Sequence, residues 1–194
     1  MRIIFRREGY TLLEILFVLG LAATLAGIAV PATSGTLDHL RATSAARYLA
    51  GRIATARVEA IRRSTTVALR FDPAGADYTF APFIDGNGNG LRATDISRGV
   101  DRPSGRAERL DEHFAGTAFG LLPGVPDMDG STASSDGVRI GSTSFLSLAP
   151  DGSATSGTVY VHSRRGQYAV RILGATGRVR VFRYDTGSRT WISR

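Results

Sequence analysis

From Ile15 to Val30 the chain carries no charged residue, and the apolar stretch around this run extends from Tyr10 to Ala32. Its 23 residues, at about 1.5 Å each in a helix, make roughly 35 Å, enough to cross a hydrocarbon core of about 30 Å. Arg2, Arg6 and Arg7 precede it, which predicts a single-pass helix with its N-terminus in the cytoplasm and the rest of the chain outside. Glu14 sits inside this stretch. A carboxylate at the centre of a membrane helix costs about 2.5–3.5 kcal/mol on insertion scales, less near an interface, so such a residue calls for a partner or a function. Val30-Pro31-Ala32 is a poor small-residue cleavage site, and the apolar run is too long for an ordinary secretory signal.

The remaining length suits one globular domain. The net charge is +7, and about +5 once residues 1–9 are set aside. Every basic residue counted is arginine, and there is no cysteine, so an exported domain must hold together without disulfides or thiolate metal sites. The 23 glycines and 7 prolines mark a loop-rich, strand-rich remainder.

A second helical pattern runs from Leu37 to about Arg63. Ala42, Ala45, Leu49, Ile53, Ala56 and Ala60 recur at steps of three and four and form one apolar stripe, with most of the arginines off it. The reading is one long helix from Tyr10 to about Arg63, with Pro31 as the point where it can kink. From Thr66 onward the period becomes two. Strands are expected at 66–71 and 78–84, joined through 72–75, then at 117–121, 137–140, 144–148, 158–162, 167–173, 178–184 and 190–192. Residues 85–112 read as a long surface loop. The expected fold class is α+β: a long N-terminal helix, half in the membrane and half a soluble spine, packed on antiparallel sheets.

Gly9-Tyr10-Thr11-Leu12-Leu13-Glu14, running into the apolar stretch, resembles the type III signal of type IV prepilins and type II secretion pseudopilins. Tyr10 stands where phenylalanine is commoner. The resemblance implies cleavage by a prepilin peptidase after Gly9, methylation of the new terminus at Tyr10, and an assembly role for Glu14, which falls fifth in the mature chain. An acid held in lipid is best neutralised by a cation, and a neighbouring subunit offers its freshly cut amine; a buried pair of this kind sets register more reliably than it adds stability. The spine over 39–60 resembles the GspH/FimT group of minor pseudopilins. The domains implied are a leader at 1–9, a membrane and assembly helix at 10–32, the soluble half of the spine at 33–65, and a periplasmic β-rich domain at 66–194. The function implied is a structural subunit at a pseudopilus tip in the inner membrane, its arginine-and-alanine spine packed on other pilins. Its partners would be other pseudopilins or pilins and the prepilin peptidase.

Two further stretches carry candidate sites. Asp85-Gly86-Asn87-Gly88-Asn89-Gly90 begins like a calcium loop, with Asp85, Asn87 and Asn89 as alternate oxygen ligands. The twelfth position should be glutamate but is Ile96, and Asn-Gly repeats equally suit a tight hairpin turn, the stronger reading. Gly177-Arg178-Val179-Arg180 puts Arg178 and Arg180 on one face of a strand and resembles an element of FimT-type minor pilins associated with DNA uptake. Arg164, Arg165, Arg171 and Arg189 would add to the positive surface, which makes a DNA-binding minor pilin the alternative function. Catalysis finds no support. His39, His113 and His162 are scattered, Ser163 next to His162 points to the opposite side of a strand, and both read as surface residues. No phosphate loop, dinucleotide fingerprint or HExxH motif is present, and no cofactor is expected.

Overall fold

The computed structural model describes residues 9–132, 134–141 and 143–193, with the side chains of 27–34 outside that description. The expected leader, 1–9, therefore lies outside the described residues except for Gly9. The chain divides into two units, one up to Leu37 and one from Asp38.

Helix α1, Leu12–Arg63, is assigned without interruption through Pro31. It starts at Thr11, whose Oγ1 accepts the Glu14 N–H at 3.2 Å. Thr11 is thus an N-cap and Glu14 the third helical residue, where a carboxylate favours the positive end of the helix dipole. In the first unit every described side chain from Leu12 to Ala26 is exposed, including Leu13, Phe17, Leu19 and Leu21. Among the described residues no helix is long and apolar enough to cross a membrane. The expected span, Tyr10–Ala32, includes residues 27–32, whose side chains lie outside the description.

In the second unit α1 ends at a left-handed Ser64 (φ 51°), with the Thr65 N–H bonded to the Ala60 carbonyl at 3.2 Å, a stop that satisfies the last carbonyls. Ten strands follow among the described residues. They are β1 (Val67–Ala74), β2 (Asp77–Ile84), β3 (Arg102–Pro103), β4 (Ala118–Phe119), β5 (Val138–Ile140), β6 (Phe145–Leu148), β7 (Gly157–His162), β8 (Gln167–Leu173), β9 (Arg178–Asp185) and β10 (Thr190–Ser193), with short helices α2 (Ala93–Ser97) and α3 (Leu110–His113). One antiparallel sheet has the order β3-β2-β1-β6. The other runs β10-β9-β8-β7-β4, with β5 also paired to β7.

The predicted stripe is the seam between helix and sheets. Ala42, Ala45, Leu49, Ile53, Ala56 and Ala60 are all buried, as is Ala46, and they join one core with Leu69, Phe71, Phe80, Leu146, Leu148, Val159, Val161, Val170 and Ile172. Four alanines on the stripe let the backbone approach the sheets closely, and Leu49 and Ile53 fill the space between. The stripe is therefore consumed inside the subunit and is not free to pack on other pilins, as the resemblance implies for the spine. Arg52 and Arg57 are likewise drawn in, Arg52 to Glu108 at 2.5 Å and Arg57 to the Gly152 carbonyl at 2.8 Å. Arg41 and Arg47 stay exposed.

Three expectations change. Strand β1 continues through Pro73 to Ala74, so the β1–β2 turn is at Gly75-Ala76 and not at 72–75. The stretch 85–112 is not bare loop: it holds α2, β3 and most of α3. Ser163 is not on the surface. It is buried in the β7–β8 turn, its hydroxyl donating to Asp38 Oδ2 at 3.1 Å and accepting the Gly166 N–H at 3.0 Å.

Candidate functional site

Gly9 and Tyr10 precede α1 in non-helical conformation and both are exposed. A Cβ built on Gly9 would meet nothing within 4 Å. Glu14 is exposed one turn further on, with Tyr10, Ile15, Val18 and Leu19 around it.

The Asn-Gly stretch lies in the connection 85–101 between β2 and β3, which pair antiparallel at Ile84↔Arg102. It is a long closed loop and not a tight hairpin. Asp85 Oδ1 accepts the N–H groups of Asn87 (3.1 Å) and Gly88 (2.8 Å), and its Oδ2 accepts that of Gly90 (2.7 Å). Asn87 and Asn89 donate their amides to Asp95 Oδ2. Asp101 accepts the N–H groups of Gly86 and Arg92. Three buried aspartates thus serve as caps for loop backbone and amides. These bonds hold the Asp95 carboxyl below the usual aspartate range, the Asn89 amide contributing most and burial opposing it. Gly86 is required by space: an added Cβ would lie 2.1 Å from the Val100 carbonyl oxygen. Among the described residues no group of three histidine, cysteine or acidic side chains is arranged to hold a metal ion.

On β9, Arg178 and Arg180 are both exposed while Val179 and Val181 pack against the core. Cross-strand register extends this face. Arg180 is opposite Arg171, Arg171 opposite Thr158, and Thr158 opposite Arg139. Three guanidinium groups therefore lie in one row across four strands spaced about 4.8 Å apart. The sequence places Arg171 on a positive surface. It gives no such sign for Arg139, because only the register brings that strand alongside.

The row is unequal in its charge balance. Arg139 is bound to the buried Asp127, donates to the Ser134 carbonyl at 2.7 Å and lies over the Tyr160 ring at 5.5 Å. Burial alone would raise the Asp127 carboxyl, but the N–H groups of Ser131 and Asp129 together with Arg139 hold it below the ordinary range. Arg171 has Asp129 at 3.6 Å. Among the described residues Arg178 and Arg180 form no ion pair. Beside the row Tyr160, Ala169, Leu121, Phe182 and Trp191 make a small second core, and the indole N–H donates to the Pro126 carbonyl at 3.2 Å. Arginines on a rigid sheet suit anionic oxygens, which each guanidinium can grip with two parallel bonds.

A third constellation has no signature in the sequence. Glu108 is nearly buried, takes hydrogen bonds from Tyr48 and Arg52 on α1, and has His113 Nε2 at 3.3 Å. It fastens the 85–112 segment to the spine, and the backbone bridge Phe80↔Glu108 fixes it on the sheet. Burial, followed by the Glu108 interaction, raises the Tyr48 hydroxyl above its ordinary value. The histidines do not converge: His39 and His113 are exposed, and His162 is half-buried with Nδ1 3.1 Å from the Ser163 carbonyl.

A long N-terminal helix set on antiparallel sheets, with its alanine stripe forming the seam, defines a pilin-like α+β protein. Residues 45–177, more than half of the chain, match the family described as type II transport protein GspH, and the chain belongs to that family. It is also similar to the pilin-like protein PilA1 of Thermus thermophilus, with 43% identity over 83 residues, 43% of this chain and 51% of the relative. The chain thus spans about half the length of that curated relative. No solved structure gave a significant match.

Proposed function

We propose that this protein is a minor pseudopilin, a structural subunit at the tip of the short filament of a type II protein secretion system, with no catalytic role. The GspH match over 45–177 carries this reading, and the motif Gly9 to Glu14 supports it. A prepilin peptidase cuts after Gly9, Tyr10 becomes the methylated terminus, and the apolar half of α1 holds the subunit in the inner membrane until assembly. The β-rich unit then lies in the periplasm. The exposed apolar side chains from Leu12 to Leu25 need lipid or neighbouring helices around them, since a face of that size is not left in water. Glu14 pairs there with the terminal amine of a neighbouring subunit. Glu14→Gln separates this role from helix capping, because glutamine also serves at the third helical position. The variant should keep the melting temperature of the β-rich unit and lose most co-purification with other pseudopilins from detergent-extracted membranes. Undiminished co-purification would remove the assembly role.

A second reading, a minor type IV pilin that binds DNA, is favoured by one observation, the row Arg139, Arg171, Arg180 with Arg178 beside it. It predicts binding that weakens with salt and is indifferent to sequence. Each duplex phosphate that a variant no longer neutralises should make the log–log salt slope shallower by about 0.9. Gel-shift titrations at two salt concentrations, wild type against Arg178→Ala/Arg180→Ala, decide between the two. Secretion predicts no affinity to lose.

A further inference from the structure

The β-rich unit carries a second group of arginines, at the end of its larger sheet. The β7–β8 turn, 163–166, is tied to the first residue of the unit's helix: Asp38 Oδ2 accepts the Ser163 hydroxyl at 3.1 Å and the Arg165 N–H at 2.8 Å. The turn lies flat on that helix, since a Cβ on Gly166 would be 3.2 Å from both Ala42 Cβ and His39 Nδ1. This geometry leaves Arg164 and Arg165 exposed beside Arg41 and the exposed Leu40. Antiparallel register places the β9–β10 turn, with exposed Arg189, at the same end of the sheet. Among the described residues none of Arg41, Arg164, Arg165 and Arg189 forms an ion pair. The acids beside these arginines, Asp38 and Asp185, are both engaged locally: Asp38 Oδ2 is turned to the β7–β8 loop, and Asp185 takes the Ser188 N–H and hydroxyl and has Arg183 at 3.5 Å. At the opposite end of the sheet Arg57 is committed to the Gly152 carbonyl, and Arg178 is the exposed arginine at the start of β9.

Asp38 follows Ala32, the end of the apolar stretch, by six residues. In a helix that is roughly 9 Å of chain, about the distance over which an anionic surface is felt at physiological salt. We propose that this arginine-tipped end of the sheet docks on anionic lipid headgroups before assembly, with Arg41, Arg164, Arg165 and Arg189 as the contacts and Leu40 at the interface. The proposal rests on the membrane anchoring given above. The tie through Asp38 makes docking a property of the folded unit and not of a loose loop. Each arginine close to an anionic leaflet should raise the docked-to-free ratio roughly fivefold.

The chain has no cysteine of its own, so single introduced cysteines can carry a nitroxide in the full-length protein reconstituted in nanodiscs. Ser44→Cys reports one turn from Arg41. Ala175→Cys, in the turn at the far end of β8, is the distal control. Leu21→Cys reports the apolar segment. With phosphatidylglycerol in the bilayer, the label at 44 should become protected from a water-soluble relaxant relative to pure phosphatidylcholine, while the label at 175 should not. Arg164→Gln/Arg165→Gln should lower the docked-to-free ratio roughly twenty-five-fold, and added salt should act in the same direction. A label at 44 equally accessible in both lipids, with the label at 21 in hydrocarbon, overturns docking and leaves anchoring intact. A label at 21 that stays in water overturns anchoring and docking together.

Discussion

Leu49→Ala tests whether the spine helix is held by its own sheets. Leu49 is fully buried and sits in the seam with core residues of both sheets. Truncation removes three buried carbons and leaves a cavity whose walls are strands that cannot close in on it; such changes cost about 2–5 kcal/mol. For a unit of this size each kcal/mol moves the melting temperature by about 2–4 °C, so a fall of roughly 4–20 °C is expected. Val58 is the matched control. It lies on the same helix but is 63% exposed, and Val58→Ala should stay within about 0.5 kcal/mol of wild type, helped slightly by the better helix propensity of alanine. Thermal unfolding of detergent-solubilised protein, followed by circular dichroism at strand wavelengths, measures both. Equal shifts for the two variants would refute a one-sided seam.

Gly86→Ala should cost about 1–3 kcal/mol, because its Cβ meets the Val100 carbonyl at 2.1 Å and the backbone must move. Gly88→Ala has open space and carries the strain of φ +76° alone, so by denaturant titration it should cost less than Gly86→Ala. Acid should destabilise the β-rich unit through Asp127 and Asp95, whose folded values are lowered. Their stabilisation is complete above the unfolded aspartate value of about 3.9 and is lost as pH falls through the folded values. Asp127→Asn should therefore lower stability at pH 7 and flatten its loss below about pH 4, as read from melting temperature against pH.

The spine is legible in the sequence because a step of three and four over 42–60 leaves only one face for a core. The later strands are legible because their apolar residues alternate between glycine-rich turns. What stays hidden depends on partners distant in sequence. Nothing in the stretch 104–113 announces that Glu108 will meet Tyr48 and Arg52 on the helix, so 85–112 reads as loop although it folds locally around Asp85, Asp95 and Asp101. Ser163 looks like a surface residue because its partner, Asp38, is 125 positions away. The pairing of Arg178 and Arg180 on one face follows from a period of two, whereas their continuation through Arg171 to Arg139 needs the register of β5, β7, β8 and β9. Glu14 is legible as an anomaly, and its place as the third residue after the Thr11 cap gives it a local reason to be there besides any role in assembly.

Processing and assembly of this GspH-family chain as a pseudopilin is tested most directly by the intact mass of protein extracted from membranes of cells with an active prepilin peptidase. The expected result is a mature chain that begins at Tyr10 and carries one added methyl group, and loss of that species in a peptidase-deficient strain. A chain that still carries Met1 in both strains, or one that begins near Ala32, would contradict it.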